Sequence, residues 1–225
     1  MSQSSPTGFV PQGGSLRNVS GPNDHGQARV LLAEAWRALH GRSPSTNELN
    51  AAQTIAHFET VYGRAGQFAE WARQGKFNWG ALQRVRNPDG SCPAGMQPGQ
   101  DAANLRCFFV YSSDYEAAKA FLRVLTVNFP VRAAATIRAM ATGDLIQVAQ
   151  AMRNSDPAHA FFELDANEYG RRLVTRAKMI FGPAFQPSGD AGTAVGGARI
   201  AIGLLALGTG IWYYLTRFPP RAGRR

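Results

Sequence analysis

Residues 43–63 read SPSTNELNAAQTIAHFETVYG, and the fold turns on this stretch. Ser43, Pro44, Ser45 and Thr46 supply the cap and first-turn chemistry of a helix, and Glu48 puts a negative charge where the helix dipole favours one. Gly63 is the natural stop. At about 100° per residue, Leu49, Ala52, Ile55, Ala56 and Tyr62 share the face that a core would cover, and Glu59 lies near the middle of that arc. A carboxyl group on an apolar face is costly unless it is neutral, paired or chemically useful. Two readings stay open for Glu59. One is an ion pair with an arginine near the helix end, and the other is an acid whose proton affinity is raised by burial.

Around this helix, apolar spacing at Val30, Leu31, Ala35 and Leu39, with Trp36 beside them, predicts a helix over 28–39 that stops at Gly41. A short helix is expected over 67–74. Residues 75–99 look like loop, with a turn at Asn87-Pro88-Asp89-Gly90, and 107–111 like a short strand or extended segment. Ser112-Ser113-Asp114 then starts a helix carrying Ala117, Ala120, Phe121, Val124 and Leu125, followed by helices over 131–142, 143–153 and 167–180. The fold class is therefore mainly α. With 225 residues, 44% hydrophobic and 17% charged, the chain has material for one packed domain plus extensions, and a multidomain machine is excluded.

Residues 1–27 are rich in Ser, Gly, Pro, Asn and Gln and are read as a flexible tail. They lack the positive start and continuous apolar run of a secretory signal. The domain is placed at 28–182 and a linker at 183–192. Residues 193–216 are apolar or small except for Arg199, long enough to cross a bilayer. Trp212, Tyr213 and Tyr214 followed by Arg217, Arg221, Arg224 and Arg225 have the order of an interfacial girdle and its positive flank. A single membrane-spanning helix over 193–216 with a basic tail, 217–225, is expected. The arginine asymmetry puts the C-terminus on the cytoplasmic or interior side and the domain on the far side.

The net charge of +9 favours anionic partners, but all but three of the 24 basic residues are Arg and they are scattered, so no nucleic-acid patch is read. Cys92 and Cys107 have no CxxC spacing, which excludes a four-ligand zinc knuckle and a thioredoxin-type dithiol. A single bridge and two separate buried thiols both fit. His57-Phe58-Glu59 lacks the Pro-Cys-x-x-Cys that a zinc deaminase requires, and His25, His40 and His159 have no ligand-like neighbours. No metal or cofactor is expected.

The run His57-Phe58-Glu59-Thr60-Val61-Tyr62-Gly63, followed by Phe77-Asn78-Trp79-Gly80-Ala81-Leu82-Gln83, resembles the lysozyme-like cell-wall hydrolases, in particular bacterial glucosaminidase domains of the flagellar and autolysin type. Phe108-Phe109-Val110-Tyr111-Ser112-Ser113 is similar to the family's F-x-V-Y-x-S stretch. Phe161-Phe162-Glu163-Leu164-Asp165, with Tyr169 and Leu173, is similar to its last Y-x-T-D...Y...L element. Gly80-Ala81-Leu82-Gln83 also resembles the G-L-M-Q of lytic transglycosylases. Together the pieces cover about 28–180.

The resemblance implies a lysozyme-like α+β domain that cleaves the β-1,4 backbone of peptidoglycan, with Glu59 as general acid. Within such a groove Trp79 and Tyr111 suit stacking on pyranose faces, Asn78 and Gln83 suit hydrogen bonds to acetamido or hydroxyl groups, and Phe162 takes the place of the family's last-element tyrosine; plain core packing is the other reading of the aromatics. Phe162 departs from the family's tyrosine and lacks its hydroxyl. A second carboxylate is not marked, since Asp89, Asp101 and Asp114 all sit where a turn or cap equally wants Asp. With a substrate in an oxidising space, Cys92 and Cys107 are expected to pair. Placement on the cell-wall side of a bacterial membrane, or in a membrane-containing virion, follows from the same resemblance. The other class of reading is a membrane-anchored glycan-binding or structural protein on the same scaffold without catalysis.

Overall fold

The computed structural model describes residues 22–99 and 106–186, and over these the chain is mainly helical. In chain order it forms α1 (Pro22–His40), α2 (Thr46–Thr60), α3 (Gln67–Arg73), β1 (Gln83–Val85), β2 (Met96–Pro98), β3 (Arg106–Phe109), α4 (Asp114–Thr126), α5 (Pro130–Thr142), α6 (Leu145–Asn154), a 3-10 turn (Pro157–His159) and α7 (Ala166–Phe181). The start of α2 is a complete capping box. Ser45 Oγ accepts the Glu48 N–H at 3.2 Å while the Glu48 carboxylate accepts the Ser45 N–H at 2.7 Å. Arg42 pairs with the same carboxylate at 2.5 Å and holds it below the usual Glu range.

α2 is buried on more than the one face that its apolar spacing predicts. Ala51, Gln53, Thr54 and His57 are covered as well as Leu49, Ala52, Ile55 and Ala56, because α1, α5 and α7 all pack against it. The small side chains at 51, 52 and 56 let those neighbours come close. Around α2 one continuous core gathers Leu32 and Trp36 of α1, Phe121 and Leu125 of α4, Met140 of α5, Met152 of α6 and Leu173 of α7. The close approach of α6 and α7 depends on Gly170, where a Cβ would lie 2.8 Å from the Cα of Ile146.

Two sequence expectations change. α1 starts at Pro22, so 22–27 belong to a helix and not to a tail; Pro and Asp24 in its first turn suit a helix start. The stretch 75–99 is not all loop, since β1 and β2 lie in it and flank β3 in an antiparallel sheet of order β1-β3-β2. Gln83 and Gln97 both stand opposite Phe108. Strands of three residues offer too few positions for alternation to show. Cys92 and Cys107 form a disulfide with Cα atoms 5.5 Å apart, tying the loop after β1 to the central strand. The expected tail over 1–21, the end of the linker, the span 193–216 and the basic tail 217–225 lie outside the described residues. Among the described residues no single helix is long and apolar enough to cross a membrane.

Candidate active site

α2 ends abruptly. Val61, Tyr62 and Gly63 take φ of 50°, 55° and 74°, three successive left-handed residues directly after the helix. For a β-branched residue and an aromatic this conformation is strained, and it persists only where the surroundings enforce it. Two hydrogen bonds do so. Thr60 Oγ1 donates to the Trp79 carbonyl at 2.7 Å and accepts the Gly63 N–H at 2.8 Å. Gly63 must be glycine on a second count, because a Cβ there would lie 2.9 Å from the Asn78 carbonyl oxygen. The segment 78–80 is thus pinned against the end of α2, and the residues after it face Glu59 across a cavity.

That cavity has a volume of about 250 Å³. Glu59 forms one part of its wall, Gly80, Ala81, Leu82 and Gln83 another, and Val124, Phe129, Arg132, His159, Ala160 and Phe161 the rest. Pockets for whole small molecules usually run from about 300 to 1,000 Å³, so this cleft is smaller than most of them.

Of the five residues expected to contact glycan, only Gln83 lines the cavity. Asn78 is fully buried and shapes the turn that follows it. Its Nδ2 donates to the carbonyls of Leu82 and Phe109, each at 2.9 Å, and its Oδ1 accepts the N–H groups of Leu82 at 2.9 Å and Gly80 at 3.3 Å. Trp79 has no open surface either, and its Nε1 donates to Asp114 Oδ1 at 2.9 Å. Both are corrected from sugar contacts to framework that holds the cavity wall. Tyr111 is half-buried, bridged to Phe77, and stands off the cavity. Phe162 is 4% exposed and lies flat on Tyr169, with ring centroids 3.7 Å apart.

Glu59 is the candidate chemical group of this cavity. Tyr169 donates from its hydroxyl to Glu59 Oε1 at 2.5 Å. The tyrosine is itself fixed between the flat face of Phe162 and the edge-on ring of Phe58, 5.1 Å away. Part of Glu59 is open to the cavity, yet the protein packed around it withdraws its carboxyl from bulk water and pushes its pKa up to about 7. The Tyr169 hydrogen bond acts the other way, and burial outweighs it.

The other carboxylates considered are accounted for locally. Asp114 is buried in an ion pair with Arg64 at 2.7 Å, and Asp89 is exposed and turned to Ser91 at 2.6 Å. Asp101 lies outside the described residues. Among the described residues lining the cavity, Glu59 is the one carboxylate. His57, two residues before it, faces His25 and Tyr62 in the interior; burial drives its pKa down to about 3, so it is neutral at ordinary pH.

Sequence reasoning placed Tyr169 in a motif without giving it a role, and missed Phe129, Arg132 and His159. Tyr169 reaches Glu59 from 110 residues away, and only the helical spacing of α7 hinted at an inward face. The assembled site can deliver one proton, near neutral pH, to an atom held in the cleft. Comparison of the chain with protein-family models, with curated proteins and with solved structures gave no match.

Proposed function

We propose that this chain cleaves the β-1,4 backbone of peptidoglycan on a lysozyme-like scaffold, with Glu59 as general acid. The observation that carries the proposal is the Glu59 carboxyl at the cavity wall, fixed by Tyr169, with a pKa that burial raises to about 7, so that a substantial fraction keeps its proton near neutral pH. A carboxylic acid in that state gives its proton to the bridging glycosidic oxygen as the bond to the anomeric carbon breaks, and the sugar is left with oxocarbenium character. Glu59 becomes a carboxylate, with the Tyr169 hydroxyl placed to stabilise its charge. The anomeric carbon is then captured by water with help from the substrate's own N-acetyl group, or by the sugar's 6-hydroxyl, and the proton that the capturing O–H gives up returns to the Glu59 carboxylate and restores the acid. The lack of a second carboxylate among the described lining residues fits both routes, that is, a glucosaminidase or a lytic transglycosylase. In this proposal the run 193–216 anchors the enzyme so that the domain faces the wall.

The test is digestion of purified peptidoglycan followed by mass spectrometry of the fragments. A reducing GlcNAc end identifies a glucosaminidase and a 1,6-anhydro end a transglycosylase. Glu59→Gln keeps the shape of the side chain without a strongly acidic proton, and is expected to lower cleavage by about 100-fold or more. Undiminished cleavage by this variant would refute the assignment. Glycan binding without any cleavage by the parent would leave a binding protein on the same scaffold.

A further inference from the structure

Among the described residues four non-glycine positions have positive φ: Val61, Tyr62, Ala81 and Phe129. Val61 and Tyr62 follow Glu59 within three residues, and Ala81 and Phe129 line the cavity. Strain of this kind, about 1 to 3 kcal/mol for each residue, persists where the surroundings over-determine the conformation, and it gathers at functional sites. The first two have an explanation in the turn that ends α2, and Ala81 in the Asn78 hydrogen bonds. Phe129 has none of this sort. It is the N-cap of α5 at φ 57° with no side-chain capping bond, a position that Asn, Asp or Gly would fill at lower cost.

What Phe129 does have is a place at the mouth of the cleft. It is 37% exposed, one of the few large apolar side chains left open among the described residues. Its ring stacks on the imidazole of His159, 4.4 Å away and inclined by 25°, and the Arg132 guanidinium lies 4.7 Å from its centroid. The ring is therefore fixed, with the His159 imidazole lying over one of its faces, and the His159 side chain, itself 48% exposed, gives the stack its open aromatic surface. A rigid aromatic wall beside a carboxylic acid is what the apolar C–H face of a pyranose packs against.

We propose that the stacked pair Phe129 and His159 is the sugar-positioning wall of the cleft, the role that the sequence had suggested for Trp79. This inference rests on the glycan-cleaving function proposed above. It assigns the N-terminal end of α5 and the 3-10 turn to substrate binding, and makes the strain at Phe129 the cost of holding a ring at the mouth.

The experiment uses the full-length chain carrying Glu59→Gln, so that binding is measured without turnover, with the soluble GlcNAc hexamer as probe in titration calorimetry. Adding Phe129→Asn removes the ring but suits the left-handed backbone. It is expected to leave the melting temperature unchanged or raised while weakening the hexamer by about tenfold. Phe129→Trp is expected to retain affinity, and His159→Ala to weaken it by about threefold or more. In the Glu59 background, KM should rise in the Phe129→Asn enzyme with kcat little changed. Unaltered affinity in Phe129→Asn would overturn the wall while leaving the function standing. Failure of the Glu59→Gln parent itself to bind the hexamer, with no cleavage of peptidoglycan by the native chain, would overturn both.

Discussion

At the scale of single residues, the chemistry hangs on two opposed influences on one carboxyl group. Burial raises the pKa of Glu59 to about 7 and the Tyr169 hydroxyl lowers it. For a general acid, activity falls as pH rises past its pKa, so Tyr169→Phe, which keeps the ring stacked on Phe162 but removes the hydroxyl, should move the alkaline limb of the rate profile to higher pH. A hydrogen bond of about 0.5–1.5 kcal/mol corresponds to a shift of about 0.5 to 1 pH unit. A shift to lower pH would mean that the hydroxyl does not hold the ionised form. The same raised pKa affects stability. The folded state keeps a proton that the unfolded chain releases near its ordinary Glu value, so this contribution is complete below about pH 4.5 and is lost as pH rises through about 7. Glu59→Gln cannot ionise, and should be more stable than the parent at pH 8 by on the order of 3 kcal/mol and little different at pH 4.5. Denaturant melts at the two pH values check this.

At the scale of elements, what the sequence reveals depends on the distance over which an interaction acts. The capping box at Ser45 and Glu48 is written within four residues, and the helical face that carries Glu59 within one element, so both could be read directly. β1 and β2 could not, because strands of three residues take their identity from pairing with β3. Trp79 looks like an open platform beside Gly80, yet the acceptor that makes its burial favourable is Asp114, 35 residues away. Phe129 precedes Pro130, a neighbour that disfavours the right-handed helical region without announcing the left-handed one. The disulfide belongs to this scale as well. It closes a 15-residue separation and ties the loop after β1 to the middle strand of a very small sheet. Cys92→Ser with Cys107→Ser should cost about 2–4 kcal/mol of stability. Hydrogen exchange should quicken in 83–99 and 106–109 well before α2 or α7. Uniform loosening of the helices would show instead that the sheet is not a separate unit of stability.

At the scale of the whole molecule, the acid and its supports come from parts of the chain far apart in sequence but joined through one helix. Glu59 sits at the end of α2, Tyr169 reaches it from α7, and α5 brings Phe129 and Arg132 to the cleft, while α2 packs on both α5 and α7. The site is therefore built on elements of the core, and a change that leaves the core intact is expected to leave the site intact. The buried cluster runs from Ala28 to Ala177, with Phe181 and Phe185 packed on its edge. Every residue assigned to the cleft falls inside those limits. Removing 193–225 takes away the apolar run and the arginine-rich end while keeping all of these contacts. We expect the shortened chain to stay in solution without detergent, to keep its helical circular dichroism, and to cleave peptidoglycan within about twofold of the full-length rate, in line with the small effects of changes away from a core. The full-length chain should instead partition with phospholipid vesicles. A shortened chain that aggregates or loses its helical signal would show that 193–216 packs on the domain, and the run would then be a core helix and not an anchor.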